Sequence, residues 1–367
     1  MYKVPFIDYP KHYRALKKKI DRSIVNVLSR GELILRKEVT AFEKRMARFL
    51  GVKYAVGVNS CTDALMLSLR ASGIGAGDEV ITVSHTFVAS IAAIVHTGAT
   101  PILVDIGDDY VIDLSQVEKA ITKNTRALIP VHLNGRVCQM DTLMRIARKY
   151  KLLLIEDAAQ ALGATYRGKK AGSWGLTGCF SFYPAKLLGA FGDAGLVATS
   201  NKTIYEKIKL YRDHGRKTKD TITCFGVTSR LDNLQAAILN VKFPHIKSWI
   251  AKRQKLANLY NKELKNVNGI TLPPSEDSIH NDVYQNYVIR AKSRDALKEY
   301  LTQRGIETIV SNPIPVHKQR GLGLSHFTLP KTEQFAKEVI SLPLIPELND
   351  QQIIYVINAI KSFYKQP

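Results

Sequence analysis

Residues 127–157 read ALIPVHLNGRVCQMDTLMRIARKYKLLLIED, and the fold turns on them. Two apolar runs, ALIPVH (127–132) and LLLIED (152–157), flank a helical pattern over residues 141–150. The runs stay apolar instead of alternating, which predicts strands covered on both faces, as parallel strands are. A strand, a helix and a second parallel strand make one right-handed crossover unit.

The same unit repeats through the first two-thirds of the chain. EVITV (79–83), PILVD (101–105), CFSFYP (179–184) and GLVATS (195–200) read as further strands. Residues 63–71, 88–96, 114–121 and 203–212 read as helices. These predict an α/β fold with a three-layer, mainly parallel sheet in a large domain, residues 1–245. A long charged helix over 246–264 opens a smaller C-terminal α+β domain, residues 246–367. There NYVIRA (286–291) and IETIV (306–310) read as strands and 294–304 and 350–363 as helices. The loop SNPIPVHKQ (311–319) is broken by proline.

Composition excludes several function classes. No apolar run reaches the roughly 18 residues of a membrane span; ASIAAIV (89–95) is stopped by His96. The start, MYKVPFIDYPKHYRALKKKI, has no apolar core of a secretory signal. Cys61, Cys138, Cys179 and Cys224 form no C-x-x-C pair and read as free thiols, so a cytoplasmic protein with no membrane association is expected. The nine histidines lack metal-site spacing, and no catalytic metal is expected. A net charge of +21 suits an anionic ligand. No zinc-finger spacing or RNA-binding signature accompanies it, and Lys17, Lys18 and Lys19 read as a solvated helix face.

Three segments carry chemistry. VGVNSCTDALMLSL (56–69) runs from a β-like stretch through a small polar turn into a helix. It is either an ordinary capped helix or a helix start that holds phosphate. Glu156 and Asp157 end an apolar strand, where Asp157 either caps the next helix or faces a ligand. Lys186 stands in FSFYPAKLLGAFGDAGLVAT (180–199) as the only basic residue among aromatics, alanines and glycines. A desolvated lysine has a lowered pKa and serves as nucleophile or Schiff-base former. An anchored phosphate, a carboxylate for a pyridinium nitrogen and a lysine for an aldehyde are what pyridoxal 5'-phosphate (PLP) needs. GIGAGDE (73–79) precedes a strand, the reverse of a dinucleotide loop.

With these segments, SHTFVAS, PVHLNGR, RDHGR, SRLDNLQAAI and PIPVHKQ, the chain resembles the DegT-type nucleotide-sugar aminotransferases, of the fold type I PLP enzymes (aspartate aminotransferase-like), nearly end to end. The resemblance implies that Lys186 binds the cofactor aldehyde and moves protons, and that Asp157 pairs with the pyridinium nitrogen. It implies that Gln160 lies by the ring, that Phe87 stacks on it, and that Cys61, Thr62 and Ser181 contact the phosphate. His317 would lie near the sugar pocket. An amino acid, usually glutamate, would donate the amino group to a nucleotide-linked keto sugar, in a homodimer with shared active sites.

Some positions depart from the family pattern. Thr228 replaces an Asn that reaches the cofactor phosphate of the neighbouring subunit, and Asn134 replaces a Tyr. Arg36 and Lys37 replace a Gly-Pro turn near the sugar site, where they bind an anion or point to solvent. Two other readings use the same features. A sugar dehydratase of this fold would carry histidine in place of Lys186, which argues against it. A non-catalytic regulator or nucleic-acid binder would use the basic surface instead.

Overall fold

The structure, a computed structural model, describes residues 2–275 and 277–365. Two helices, α1 (Tyr9–Arg30) and α2 (Lys37–Leu50), open the chain. A sheet then assembles β1 (Tyr54–Val58), β2 (Glu79–Val83), β3 (Thr100–Val104), β4 (Thr125–Leu128) and β5 (Leu153–Asp157). Two short strands, β6 (Thr165–Tyr166) and β7 (Lys169–Lys170), stand apart before β8 (Thr177–Ser181) and β9 (Gly195–Thr199) complete it. The spatial order is β1-β9-β8-β5-β4-β2-β3. Every pairing is parallel except the two that β9 makes. The connecting helices are α3 (Cys61–Ala71), α4 (Ala89–Val95), a short α5 (Leu114–Val117) and α6 (Met140–Tyr150). After β9 come α7 (Lys202–Tyr211), a hairpin of β10 (Arg216–Thr218) with β11 (Thr221–Ile222), and α8 (Asn233–Lys242).

Unbroken apolar strands have the consequence their sequence predicts. Val56, Val80, Ala127, Ile155, Cys179 and Val197 pack on one face of the sheet, against α3 and α7. Their neighbours Ala55, Ile81, Leu128, Leu154, Phe180 and Leu196 join the core on the other face, with α2, α6 and α8. Helix α9 (Ile246–Leu264) links two cores: Ile246 belongs to the sheet core, whereas Leu256, Tyr260 and Leu264 belong to a second one. That second core is built on β12 (Ile270–Thr271), β14 (Tyr287–Ala291) and β15 (Val339–Leu342), with β13 (His280–Asn281) paired instead to β6. It is completed by α10 (Arg294–Gln303), α12 (Asp350–Lys365) and Val4 from the start of the chain. No helix among the described residues is long and apolar enough to cross a membrane.

One expected strand is cut short and another does not form. ALIPVH pairs only as far as Leu128, because Pro130 has no N–H to continue the ladder, and a single bridge from Val131 to Asp157 follows. IETIV forms no strand: Ile306 bridges Val4 and Ile309 bridges Ser341. Different partners at two residues leave no ladder to propagate.

The helix that precedes β15 docks on the sheet through buried polar contacts. Asp105, just past β3, accepts Lys331 N–H and Thr332 N–H at 2.8 Å and the Thr332 hydroxyl at 2.6 Å. These lie in the first turn of α11 (Pro330–Glu338), whose N-cap, Leu329, has no side-chain acceptor. A carboxylate remote in sequence thus caps the helix. Asp105→Ala should lower unfolding free energy by about 2 kcal/mol or more, and Asp105→Asn by less, read from urea titrations.

Candidate active site

The carboxyl ends of the parallel strands open into one cavity of about 540 Å³. Residues following β1, β2, β4, β5 and β8 all line it: Cys61 and Thr62, Thr86 and Phe87, His132, Asp157 and Gln160, Ser181 and Lys186. This is where open α/β sheets bind ligands, since only there do the connecting loops diverge. Seven of the residues singled out from the sequence meet here: Cys61, Thr62, Phe87, Asp157, Gln160, Ser181 and Lys186.

Lys186 sits on a tight loop after β8. Its N–H bonds the Tyr183 carbonyl at 2.8 Å, and the Ala190 N–H bonds the Phe182 carbonyl at 2.7 Å. Gly189 permits that closure, because a Cβ there would lie 2.2 Å from the Pro184 carbonyl oxygen. Burial in the cavity wall lowers the Lys186 pKa below the ordinary lysine value, with Cys61 and Asp157 pulling it back. Burial also raises the Cys61 thiol well above its usual range, with Asp157 adding to the rise and Lys186 opposing it.

Asp157 ends β5 with both oxygens engaged. One accepts the Ala159 N–H at 3.1 Å and the other the Ser90 hydroxyl at 2.7 Å. The adjacent Glu156 is fully buried and accepts three N–H groups, of Gly172, Trp174 and Gly175, each at 2.7 Å. Its remaining partner is His132 Nε2 at 2.9 Å. His132 Nδ1 accepts the Cys138 N–H at 3.2 Å, so Nε2 carries the proton and donates it to Glu156.

At the start of α3, Ser60 accepts the Asp63 N–H at 3.1 Å and caps the helix. Cys61 and Thr62 occupy the first turn, whose N–H groups precede any intrahelical acceptor and lie at the cavity. Gly195 makes room for this turn: a Cβ there would lie 2.3 Å from the Ser60 carbonyl carbon. Gln160 accepts the Asn134 N–H at 2.8 Å. Phe87 stands 64% exposed, a large ring at the cavity rather than in the core.

Three sequence-predicted residues lie outside this cavity. His317 is fully buried, its Nδ1 2.7 Å from the Ser84 hydroxyl and its Nε2 3.2 Å from Glu333, so it joins its loop to the residue after β2 and to α11. Arg36 is exposed and precedes α2. Thr228 is exposed, with its hydroxyl 2.8 Å from His214 Nε2. Conversely, Tyr183, Asp193, Arg253 and Gln285 line the cavity unannounced. Arg253 carried a readable signal: with Leu256, Ala257 and Tyr260 it keeps the i, i+3, i+4, i+7 spacing of a buried helical face. Gln285, flanked by Tyr284 and Asn286, carried none.

A sequence model of the DegT/DnrJ/EryC1/StrS aminotransferase family matches residues 14–361. The chain belongs to this family. Among aminotransferases of this family, the dTDP-3-amino-3,4,6-trideoxy-alpha-D-glucose transaminase of Streptomyces venezuelae is 41% identical over 365 residues, 98% of this chain and 96% of that one. A Geobacillus stearothermophilus protein described as a pleiotropic regulatory protein is 41% identical over 367 residues, covering 99% of each. The crystal structure of S. venezuelae DesV in complex with a ketimine intermediate superposes with a TM-score of 0.97 at 40% identity, covering 100% of both chains. The fold is therefore that of the PLP-dependent sugar aminotransferases, and the cofactor is pyridoxal 5'-phosphate. The donor set suits it: an amine, a hydrogen-bonded carboxylate, and a helix start with the Thr62 and Ser181 hydroxyls nearby.

The lowered pKa has a thermodynamic consequence. The unfolded chain holds the Lys186 proton up to the ordinary lysine value and the folded cavity releases it earlier, so this group's contribution to stability falls as pH drops through the folded value. In protein stripped of cofactor, Lys186→Met should raise the Tm by roughly 2–4 °C at neutral pH. The gain should shrink as pH rises toward the ordinary lysine range, in parallel melts of the two proteins.

Proposed function

We propose that this cavity transfers an amino group from an amino acid, glutamate, to a keto sugar carried on a nucleoside diphosphate. The observation that carries the reading is the meeting of Lys186 and Asp157 in one cavity at the strand ends, in a chain so close to nucleotide-sugar transaminases. When bound, PLP supplies an aldehyde for the lysine and a ring that draws electrons from the breaking bond. The chain's own residues do the rest. Asp157, held by Ser90 and Ala159, would pair with a protonated ring nitrogen. The first turn of α3, Thr62 and Ser181 hold the phosphate. Cys61 would contact it through its backbone and Phe87 would cover the ring, with Gln160, held by the Asn134 N–H, beside it. Lys186 Nζ, with its lowered pKa, removes and returns the proton that moves between carbon atoms.

In the same reading, residues 1–245 form the cofactor unit and 246–367 a smaller unit that walls the cavity with Gln285, Asn286 and Leu344. A homodimer completes the site. Supporting this, Thr228 is exposed beyond its own cavity, and Val25, Leu28 and Phe225 are apolar and 63%, 54% and 90% exposed. Thr228 would reach the neighbour's phosphate; Arg36 is the candidate at the sugar. The four free thiols support a reducing compartment, the cytoplasm.

The test is amination of a panel of nucleotide-linked keto sugars with glutamate as donor, followed by product mass. Amination is expected, and Lys186→Ala should lower it by roughly 10³-fold or more and remove the visible absorbance of the bound cofactor. A colourless wild-type protein, or no amination across a broad panel, overturns the reading. Sedimentation should give twice the chain mass.

A further inference from the structure

The loop that carries Lys186 is held by a residue about one hundred positions away. Gln285 is buried; its Oε1 accepts the Leu187 N–H at 2.8 Å, and its Nε2 donates to the Ala185 carbonyl at 2.9 Å. One side-chain amide thereby satisfies a peptide group on each side of Lys186, much as a neighbouring strand would. The fork is itself fixed. Arg253 Nη1 donates to the Gln285 carbonyl at 3.2 Å and also to the carbonyls of Tyr284 and Leu344. Gly135 packs so closely that a Cβ would lie 2.9 Å from the Gln285 nitrogen.

Two other side chains grip the same loop, and they differ in origin. Gln235 accepts the Phe191 N–H at 2.9 Å and donates to its carbonyl at 3.2 Å, and Lys242 donates to the Gly189 carbonyl. Both lie on α8, which packs under the sheet. Gln285 instead sits just before β14, between Tyr284 and Tyr287 of the second core. Among these three grips, only Gln285 ties the lysine to that core.

We propose that Gln285 is a positioning residue for Lys186: its amide fork fixes the peptides on either side of the lysine, keeps the amine in the cavity, and couples its position to the second core. The inference rests on the reading of Lys186 as the cofactor lysine. Losing the fork would let water reach the loop and relax the burial that depresses the amine's titration. Asp157 and Cys61 act on the amine electrostatically, and Lys242, Arg253 and Glu347 share a small pocket with Lys186. These groups are unchanged by substitution at 285.

The test compares wild type, Gln285→Met, Gln285→Glu and the control Gln235→Met. In cofactor-stripped protein, two quantities are read by peptide mass spectrometry: amide exchange around Leu187, and the pH midpoint for acetylation of Lys186 by acetic anhydride. Gln285→Met should speed exchange roughly tenfold and move the midpoint up toward the ordinary lysine value. Gln285→Glu keeps the acceptor for Leu187 but loses the donor to Ala185 and adds a negative charge, so its midpoint should rise with little change in exchange. Gln235→Met should leave both at wild-type values. In loaded enzyme, Gln285→Met should lower kcat by roughly 10–100-fold while the donor KM stays within about threefold. A wild-type midpoint in Gln285→Met overturns the proposal, as does an equal rise in Gln235→Met. If Gln285→Met does not fold, an unmoved midpoint in Gln285→Glu overturns it instead. Exchange and acetylation need no sugar substrate, so they decide the role of Gln285 even if the amination panel fails.

Discussion

Alternation along β5 sends Glu156 and Asp157 to opposite sides of the sheet, and this separates scaffold from site. Two carboxylates on one side would repel in a low-dielectric interior and could not both stay ionised. Glu156 instead turns toward the Gly172–Gly175 turn, where three N–H groups and His132 surround it. A buried carboxylate so satisfied pins that turn against β5. The close fit leaves no room for side chains: a Cβ on Gly178 would lie 2.2 Å from the Gly172 Cα. Asp157 is thereby left at the strand end, facing the cavity with Ser90 as its neighbour.

Burying lysines runs against their hydration, and the loop after β8 buries or borders two of them. Burial lowers Lys242 to about 8, yet its amine donates to Gly189 and lies over the Phe191 ring at 5.2 Å. Lys242 therefore acts as a structural grip. Among the described residues no such carbonyl satisfies Lys186; it has the cavity, with Cys61 and Asp157 opposing the burial. The two lysines differ in what surrounds the amine, and Lys186 is the more open of the two, half-buried at the cavity where Lys242 is buried. A grip satisfies the amine, whereas a reactive lysine is left with its donors unspent.

The sheet was legible because both its faces are buried, which makes β2, β5 and β9 continuous apolar runs. Legibility failed where the signal was local and the cause was not. Pro130 ended β4 although the residues around it are apolar. Helix α11 passes into β15 between Glu338 and Val339 with no glycine or proline to mark the change, so neither was read. In the site, Lys186, Asp157 and Thr62 stood out because each sits at a junction between a strand and a turn or helix. His317 stood out through family resemblance alone, and its surroundings show a ring engaged by Ser84 and Glu333. Gln285 could not stand out, because a glutamine among Asp282, Tyr284 and Asn286 reads as an ordinary polar turn and has meaning only once its distant partners are known.

The surplus of positive charge acts on a different scale from the site. The chain carries +21, yet the charged side chains lining the cavity are Lys186 and Arg253 against Asp157 and Asp193. One chain's cavity wall is thus close to neutral, and Arg253 spends one arm of its guanidinium on three carbonyls. A ligand bearing phosphates would meet the excess charge outside, on exposed groups such as Arg36 and Lys37. Charge placed there is screened over about 8–10 Å at physiological salt, so it speeds encounter more than it strengthens the final contacts. Affinity for phosphate would then come from oriented N–H and hydroxyl groups at the start of α3, which can bind an anion without adding a further cation to those already near Lys186. That economy matters chemically, because each added ammonium near the cavity would depress the lysine further and compete with it for Asp157.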